Sequence, residues 1–217
     1  DVLPSRFEKA KSEMFALLEN LEGDDVGTIA FAGESLLVSP FTRDYDAVKM
    51  FLADVQVGML SRPGSNFGAL IQKARLIFNN KRTNRVLIIF SDGEFFDKDI
   101  EKSIALAKRY KVTIYTVGIG KSVGEPIPEK DKTGQTRGYK KDKDEQIVLT
   151  KLDEKRLKKI ARDTGGKYYF GGNTSLVVEK IYKELSGKDT EDIEKQKQKM
   201  FIDRYQYVLI FVFVFLM

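Results

Sequence analysis

The 217-residue sequence has no cysteine, no histidine and no tryptophan. Without cysteine there are no disulfides, thiol nucleophiles, iron–sulfur clusters or structural zinc sites. The compartment stays open, because a disulfide-free chain can live on either side of a membrane. Without histidine, Ser-His-Asp triads and His-based zinc sites are excluded. Any metal held here must be a hard, oxygen-ligated ion such as Mg²⁺, Ca²⁺ or Mn²⁺. Acid–base chemistry must come from Asp, Glu, Lys or Tyr. Charge of one sign is also scarce in net terms. The 37 basic residues against 32 acidic ones leave +5, too even a balance to imply nucleic acid.

What is present is the pattern of a soluble α/β body, long enough to bury roughly 70% of its unfolded surface. Residues 5–21 have Phe7, Ala10, Met14, Leu17, Leu18 and Leu21 at helical spacing. Residues 25–32 read as a strand and 35–38 as its short hairpin partner. Helices are predicted over 43–55, 64–79, 97–110, 151–163 and 174–185, and strands over 85–90, 112–117 and 167–170. The run Val86-Leu-Ile-Ile-Phe90 is apolar without a break, as in a parallel strand buried on both faces. The alternation predicts a doubly wound, mostly parallel sheet with helices on both faces. Residues 121–150 carry thirteen charges of both signs with Pro126, Pro128, Gly134 and Gly138, and read as an insertion, with a hairpin ending at 146–150.

Both ends read as cut. The sequence starts at Asp1 and enters a helix almost at once. It closes on ten unbroken apolar residues, 208–217, preceded by Arg204, Tyr205 and Tyr207. Those flanks resemble the interfacial anchors of a membrane span, although ten residues fall short of the roughly 20 that a span needs. The expectation is a truncated transmembrane segment over 205–217, with a buried core strand as the alternative. Residues 187–204 hold five basic and five acidic residues and read as a charged linker.

Ligands of open parallel sheets bind beyond the carboxyl ends of the strands. Three segments fall on that edge: Gly64-Ser65-Asn66-Phe67-Gly68, Ser91-Asp92-Gly93-Glu94 and Gly118-Ile119-Gly120. A hydroxyl and a carboxylate converging there would make a hard-ligand metal site. The competing explanation is that Ser65 and Asp92 only cap the helices that follow them. Gly118-Ile-Gly-Lys-Ser122 resembles the end of a phosphate-binding loop, but a full motif would need glycine where Tyr115 stands. The basic cluster Lys155, Arg156, Lys158, Lys159 and Arg162 lies opposite Leu157, Ile160 and Ala161 and reads as a solvated helix face.

The order of elements, with Gly64-Ser65-Asn66-Phe67-Gly68, Val86-Leu-Ile-Ile-Phe-Ser-Asp92-Gly93-Glu94 and Ile114-Tyr-Thr-Val-Gly118-Ile-Gly120, resembles a von Willebrand factor type A (vWA) domain. Asp1-Val-Leu-Pro-Ser-Arg6 and Ala161-Arg-Asp-Thr-Gly165-Gly166 resemble, more narrowly, the vWA proteins of the bacterial aerotolerance (Bat) operons. The resemblance implies a vWA domain over 1–186 whose central first strand is missing from this chain. It also implies a metal-ion-dependent adhesion site for Mg²⁺. In that family the first motif, D-x-S-x-S, ends the central strand, and a threonine and an aspartate from later loops complete the site. Ser65 stands where the threonine would be and Asp92 where the aspartate would be, a partial site, since D-x-S-x-S is absent from this sequence.

The resemblance further implies a non-enzymatic, membrane-anchored interaction module of a bacterial aerotolerance or stress-related complex. Its Mg²⁺ would bridge to an acidic residue of another membrane or periplasmic protein, with no nucleic acid involved. The location implied is the bacterial cytoplasmic membrane, with the side open. The rival from another class is a doubly wound phosphotransferase or hydrolase using Asp92 as nucleophile. It is weakened because Asp92-Gly-Glu94 lacks the second aspartate of a D-x-D site. A scaffold without metal is the third reading.

Overall fold

A computed structural model of the chain describes residues 5–78, 85–95, 99–121, 123–126, 128–130, 136–139, 141, 145–147, 149–171, 180–181, 183–184 and 208–214. The helix expected over 174–185 lies largely outside these residues, and the linker 187–204 lies wholly outside them.

The first helix, α1, spans Arg6–Glu19, and the Ser5 side chain caps it by accepting from the Glu8 amide. Strand β1 (Asp25–Phe31) turns back into β2 (Ser35–Thr42), which is longer than the sequence predicts. Pro40 is tolerated in β2 because β2 is the edge of the sheet. Helices α2 (Tyr45–Asp54) and α3 (Phe67–Phe78) follow, then β3 (Arg85–Ser91), α4 (Ile100–Arg109) and β4 (Val112–Gly118). The insertion forms two small antiparallel pairs. Strand β5 (Glu125–Pro126) pairs with β8 (Leu149–Thr150), and β6 (Pro128–Lys130) pairs with β7 (Thr136–Tyr139). Helix α5 (Glu154–Asp163), β9 (Tyr168–Phe170) and β10 (Val208–Val214) complete the described elements.

The main sheet has the order β2-β1-β10-β3-β4-β9. Only β2 runs antiparallel to its neighbour. Strands β1, β3 and β4 bury both faces, which explains the unbroken apolar run at 86–90. Val86, Ile88 and Phe90 of β3 join Met14, Leu17, Leu18, Val48 and Leu52 under α1 and α2. Leu87 and Ile89 join Phe67, Leu70, Ile104, Leu157 and Ile160 under α3, α4 and α5. Lys11, itself buried, reaches from α1 to the end of α2, where its ammonium donates to the carbonyls of Ala53 and Val55. That contact favours the carbonyl end of a helix and ties α1 to α2 on the same face of the sheet.

Two expectations are corrected at the sheet's centre. The slot between β1 and β3 is filled, not empty: β10 pairs in parallel with β1 from Asp25↔Val208 to Phe31↔Val214. On its other side it pairs with β3 from Arg85↔Val208 to Phe90↔Phe213. Residues 208–214 form a strand in this structure where the start of a transmembrane helix was expected, as in the buried-strand alternative. Among the described residues no helix is long and apolar enough to cross a membrane. The physical reason lies in composition and in backbone satisfaction. Val-Leu-Ile-Phe-Val-Phe-Val is rich in β-branched and aromatic residues, which suit a pleated strand. Inserted here, it also gives hydrogen-bond partners to the facing edges of two buried strands.

Ile210→Pro tests this placement. A central strand is paired on both sides, so proline at 210 removes a ladder donor wherever that amide points. The expected cost is at least the about 1–3 kcal/mol of a buried acceptor left unmet, read as a lower urea midpoint. An unchanged midpoint would put residues 208–214 outside the sheet.

Candidate functional site

The carboxyl ends of β1, β10, β3 and β4 share one edge of the sheet, and the candidate residues lie along it. Where β3 ends, the chain makes a tight turn. Ser91 Oγ accepts from the Gly93 amide at 2.9 Å, and Asp92 Oδ1 accepts from the Glu94 amide at 3.0 Å. Gly93 has φ +81°, and a Cβ there would stand 2.7 Å from the Asp153 carbonyl oxygen, so the turn needs glycine twice over. The Asp92 carbonyl accepts from the Asp153 amide at 2.7 Å, which ties the turn to the start of α5.

Asp92 is fully buried at this turn. Its Oδ2 lies 3.5 Å from Nη1 of Arg6, which is also buried. Thr150 Oγ1 is 3.4 Å from the same oxygen and 3.0 Å from Glu94 Oε2. A hydroxyl has a single proton, so the shorter distance assigns it to Glu94. Arg6 in turn donates from Nη1 to Thr150 Oγ1 at 2.8 Å and from Nη2 to the Thr150 carbonyl at 3.2 Å. Glu94 Oε1 accepts from the Lys151 amide at 3.1 Å. Burial pushes the Asp92 carboxyl up from 3.8 to about 6. The Glu94 amide bond opposes that rise, the Glu94 charge adds to it, and the Arg6 charge and the neighbouring Thr150 hydroxyl lower it.

Ser65 is buried on the loop that docks against the end of β1. The Gly33 amide donates to the Arg62 carbonyl at 3.0 Å, and the Asn66 amide to the Ala32 carbonyl at 2.8 Å. Capping of α3 falls to Asn66, whose Oδ1 accepts from the Ala69 amide at 2.9 Å. Capping of α4 falls to Asp99. Neither helix uses Ser65 or Asp92 for that task. Ser65 lies on the loop against the end of β1 and Asp92 in the turn after β3, and β10 separates these two strands in the sheet.

The donor set does not by itself fit a Mg²⁺ ion, which requires near-octahedral oxygen coordination. Among the described residues no three His, Cys, Asp or Glu side chains group to hold a metal. The cation found at Asp92 is the guanidinium of Arg6. Arg6, Glu94 and Thr150 thus belong to the site although their roles were not anticipated. The available signal was Arg6 itself, one residue before Phe7 at the start of an amphipathic helix, where a buried cation requires a carboxylate. The basic face of α5 is occupied locally. Arg156 bonds the Phe95 carbonyl, and Lys158 and Lys159 pair with Glu154 and Asp163.

A family model described as von Willebrand factor type A domain matches residues 1–94. The crystal structure of BatB from Bacteroides thetaiotaomicron is 32% identical, with a TM-score of 0.76 over 86% of this chain and 90% of that one. An aerotolerance-related membrane protein from Bacteroides fragilis is 29% identical, with a TM-score of 0.77 over 86% and 91%. A protein of Borreliella burgdorferi is 26% identical over 98% of this chain, which spans 61% of that relative's length. At the level of fold alone, the chain is similar to proximal thread matrix protein 1 of the mussel byssus, a structure with a zinc-occupied MIDAS motif. That match is 15% identical, with a TM-score of 0.59 over 82% of this chain and 40% of the other.

The raised Asp92 pKa gives a pH prediction with a definite sign. Below about pH 4 the carboxyl is protonated in both folded and unfolded chains and contributes nothing. Between 3.8 and about 6 the folded chain holds a proton that the unfolded chain has lost, so stability falls as pH rises. Above that window the full penalty stands, about 3 kcal/mol at most. Wild type should therefore lose stability relative to Asp92→Asn between pH 4 and 7, read as the gap between their melting temperatures. A gap that moves the other way would show that Arg6 outweighs burial.

Proposed function

Because the chain belongs to the von Willebrand factor type A domain family, we propose that it is a protein-interaction module working at a bacterial membrane, not an enzyme. The observation that carries this reading is Asp92, a buried carboxylate at the end of a central strand, in a turn built to hold it there. The enzyme alternative is disfavoured by the same burial. A nucleophilic aspartate must reach its substrate, and Asp92 is 0% exposed behind Arg6 and Thr150. The membrane part of the proposal draws support from the similarity to an aerotolerance-related membrane protein.

The finer proposal concerns metal. Ser65 and Asp92 are the two later ligands of a Mg²⁺-dependent adhesion site, completed by D-x-S-x-S donors from outside these 217 residues. A partner's acidic side chain is then the group recognised. The zinc-occupied motif of the mussel protein supports a divalent cation in this fold. The partner's identity and the activity of a longer protein belong to the same proposal.

Two measurements test it. The 217-residue chain should bind Mg²⁺ no more tightly than millimolar, as an order of magnitude for an under-liganded site. Micromolar binding by calorimetric titration would show that other residues complete the set. Secondly, a partner captured from solubilised membranes by the full-length protein should be lost with both Ser65→Ala and Asp92→Ala, once each variant is shown to melt cooperatively. Capture unchanged in both variants, or turnover of phosphate esters by wild type, would sink the binding reading.

A further inference from the structure

The Arg6 contacts do more than neutralise Asp92. Thr150 closes the insertion: β8 ends there, Thr150 pairs with Glu125 of β5, and α5 starts four residues later. Arg6 holds Thr150 through both its hydroxyl and its carbonyl while facing Asp92 Oδ2 with the same Nη1. Glu94, two residues from Asp92, holds the other side, accepting from the Thr150 hydroxyl and the Lys151 amide. The next amide, that of Leu152, donates to the Lys121 carbonyl at 2.9 Å and so joins the two ends of the insertion. Four segments distant in sequence meet at one guanidinium, since Gly120 also lies against Arg6, its Cβ position 3.4 Å from Nε.

We propose that Arg6 is a latch that couples Asp92 to the position of the insertion. The carboxylate orients the guanidinium, and the guanidinium fixes Thr150 and with it the base of the 121–150 arm. A ligand that claims Asp92 with its own positive charge competes with Arg6 for the carboxylate, and the arm is released at Thr150. The arm carries the exposed side chains of Val123, Tyr139, Ile147 and Leu149. The state of the buried site is thereby expressed at the surface. The coupling lies in the chain's own residues and stands whether or not a metal ever binds, so its test needs no ligand.

The test is hydrogen exchange at the Lys151 and Leu152 amides of the full chain. Because it removes charge-assisted bonds to Thr150, Arg6→Met should speed exchange there by roughly tenfold or more, with β3 amides as protected as in wild type. Asp92→Asn should speed the same two amides, because an uncharged amide orients the guanidinium less firmly. In the double variant the effect of Asp92→Asn should vanish, since its route runs through Arg6. Thr150→Val, which removes the hydroxyl and keeps the shape, reproduces the local effect if Arg6→Met does not fold. Wild-type exchange at 151–152 in Arg6→Met, or in Thr150→Val where that variant replaces it, overturns the latch. Multiplicative effects in the double variant overturn the coupling to Asp92.

Discussion

The fold depends on what lies between β1 and β3. Both are buried on two faces, and they do not touch each other. Each presents a row of amides and carbonyls toward the same slot, and backbone groups left unpaired in such a place cost more than most side-chain contacts return. β10 meets both rows at once, from Asp25↔Val208 on one side to Phe90↔Phe213 on the other. The two cores under the opposite faces of the sheet then share one continuous floor. Without it, the cluster around Met14 and Leu17 and the cluster around Phe67 and Leu70 would each rest on a divided sheet.

The same strand sets the chemistry of the edge. It separates β1, against which the Ser65 loop docks, from β3, which leads into the Asp92 turn. Asp92 is instead matched by a guanidinium. A buried carboxylate with one fixed cation and the Glu94 amide as donor is tolerable but still under-solvated, which is why burial wins and the carboxyl is raised. Arg6 can serve because α1 is fixed by Lys11 and Met14, leaving its first turn above the strand ends. Position in the fold, and not charge count, makes this one arginine of thirty-seven basic residues part of the site.

Most of the architecture was legible because periodicity is local. The 3.6-residue spacing of Phe7, Ala10, Met14 and Leu17 and the unbroken run at Val86–Phe90 each determine an element without reference to the rest. Boundaries moved by a few residues where a cap decided them: Asp44 starts α2 two residues later than expected, and Asp153 starts α5 three later. What could not be read locally was the fate of 208–214. The same apolar residues satisfy a bilayer or a sheet interior, and only the vacancy between β1 and β3, a non-local fact, distinguishes them. Arg6, Glu94 and Thr150 were hidden for the same reason. They are 56 to 144 residues apart along the contacts that join them.

The central slot and the chemistry of the site are therefore one question. β10 ends between β1, against whose end the Ser65 loop docks, and β3, which leads into the Asp92 turn. The residues of β10 bring no side-chain oxygen, so with β10 in place the edge remains a carboxylate matched by an arginine. A strand ending in D-x-S-x-S would bring a carboxylate and two hydroxyls to the same position, and the added negative charge would favour a divalent cation over a single guanidinium. With β10 in the central slot, the cation that Asp92 meets at this edge is therefore Arg6.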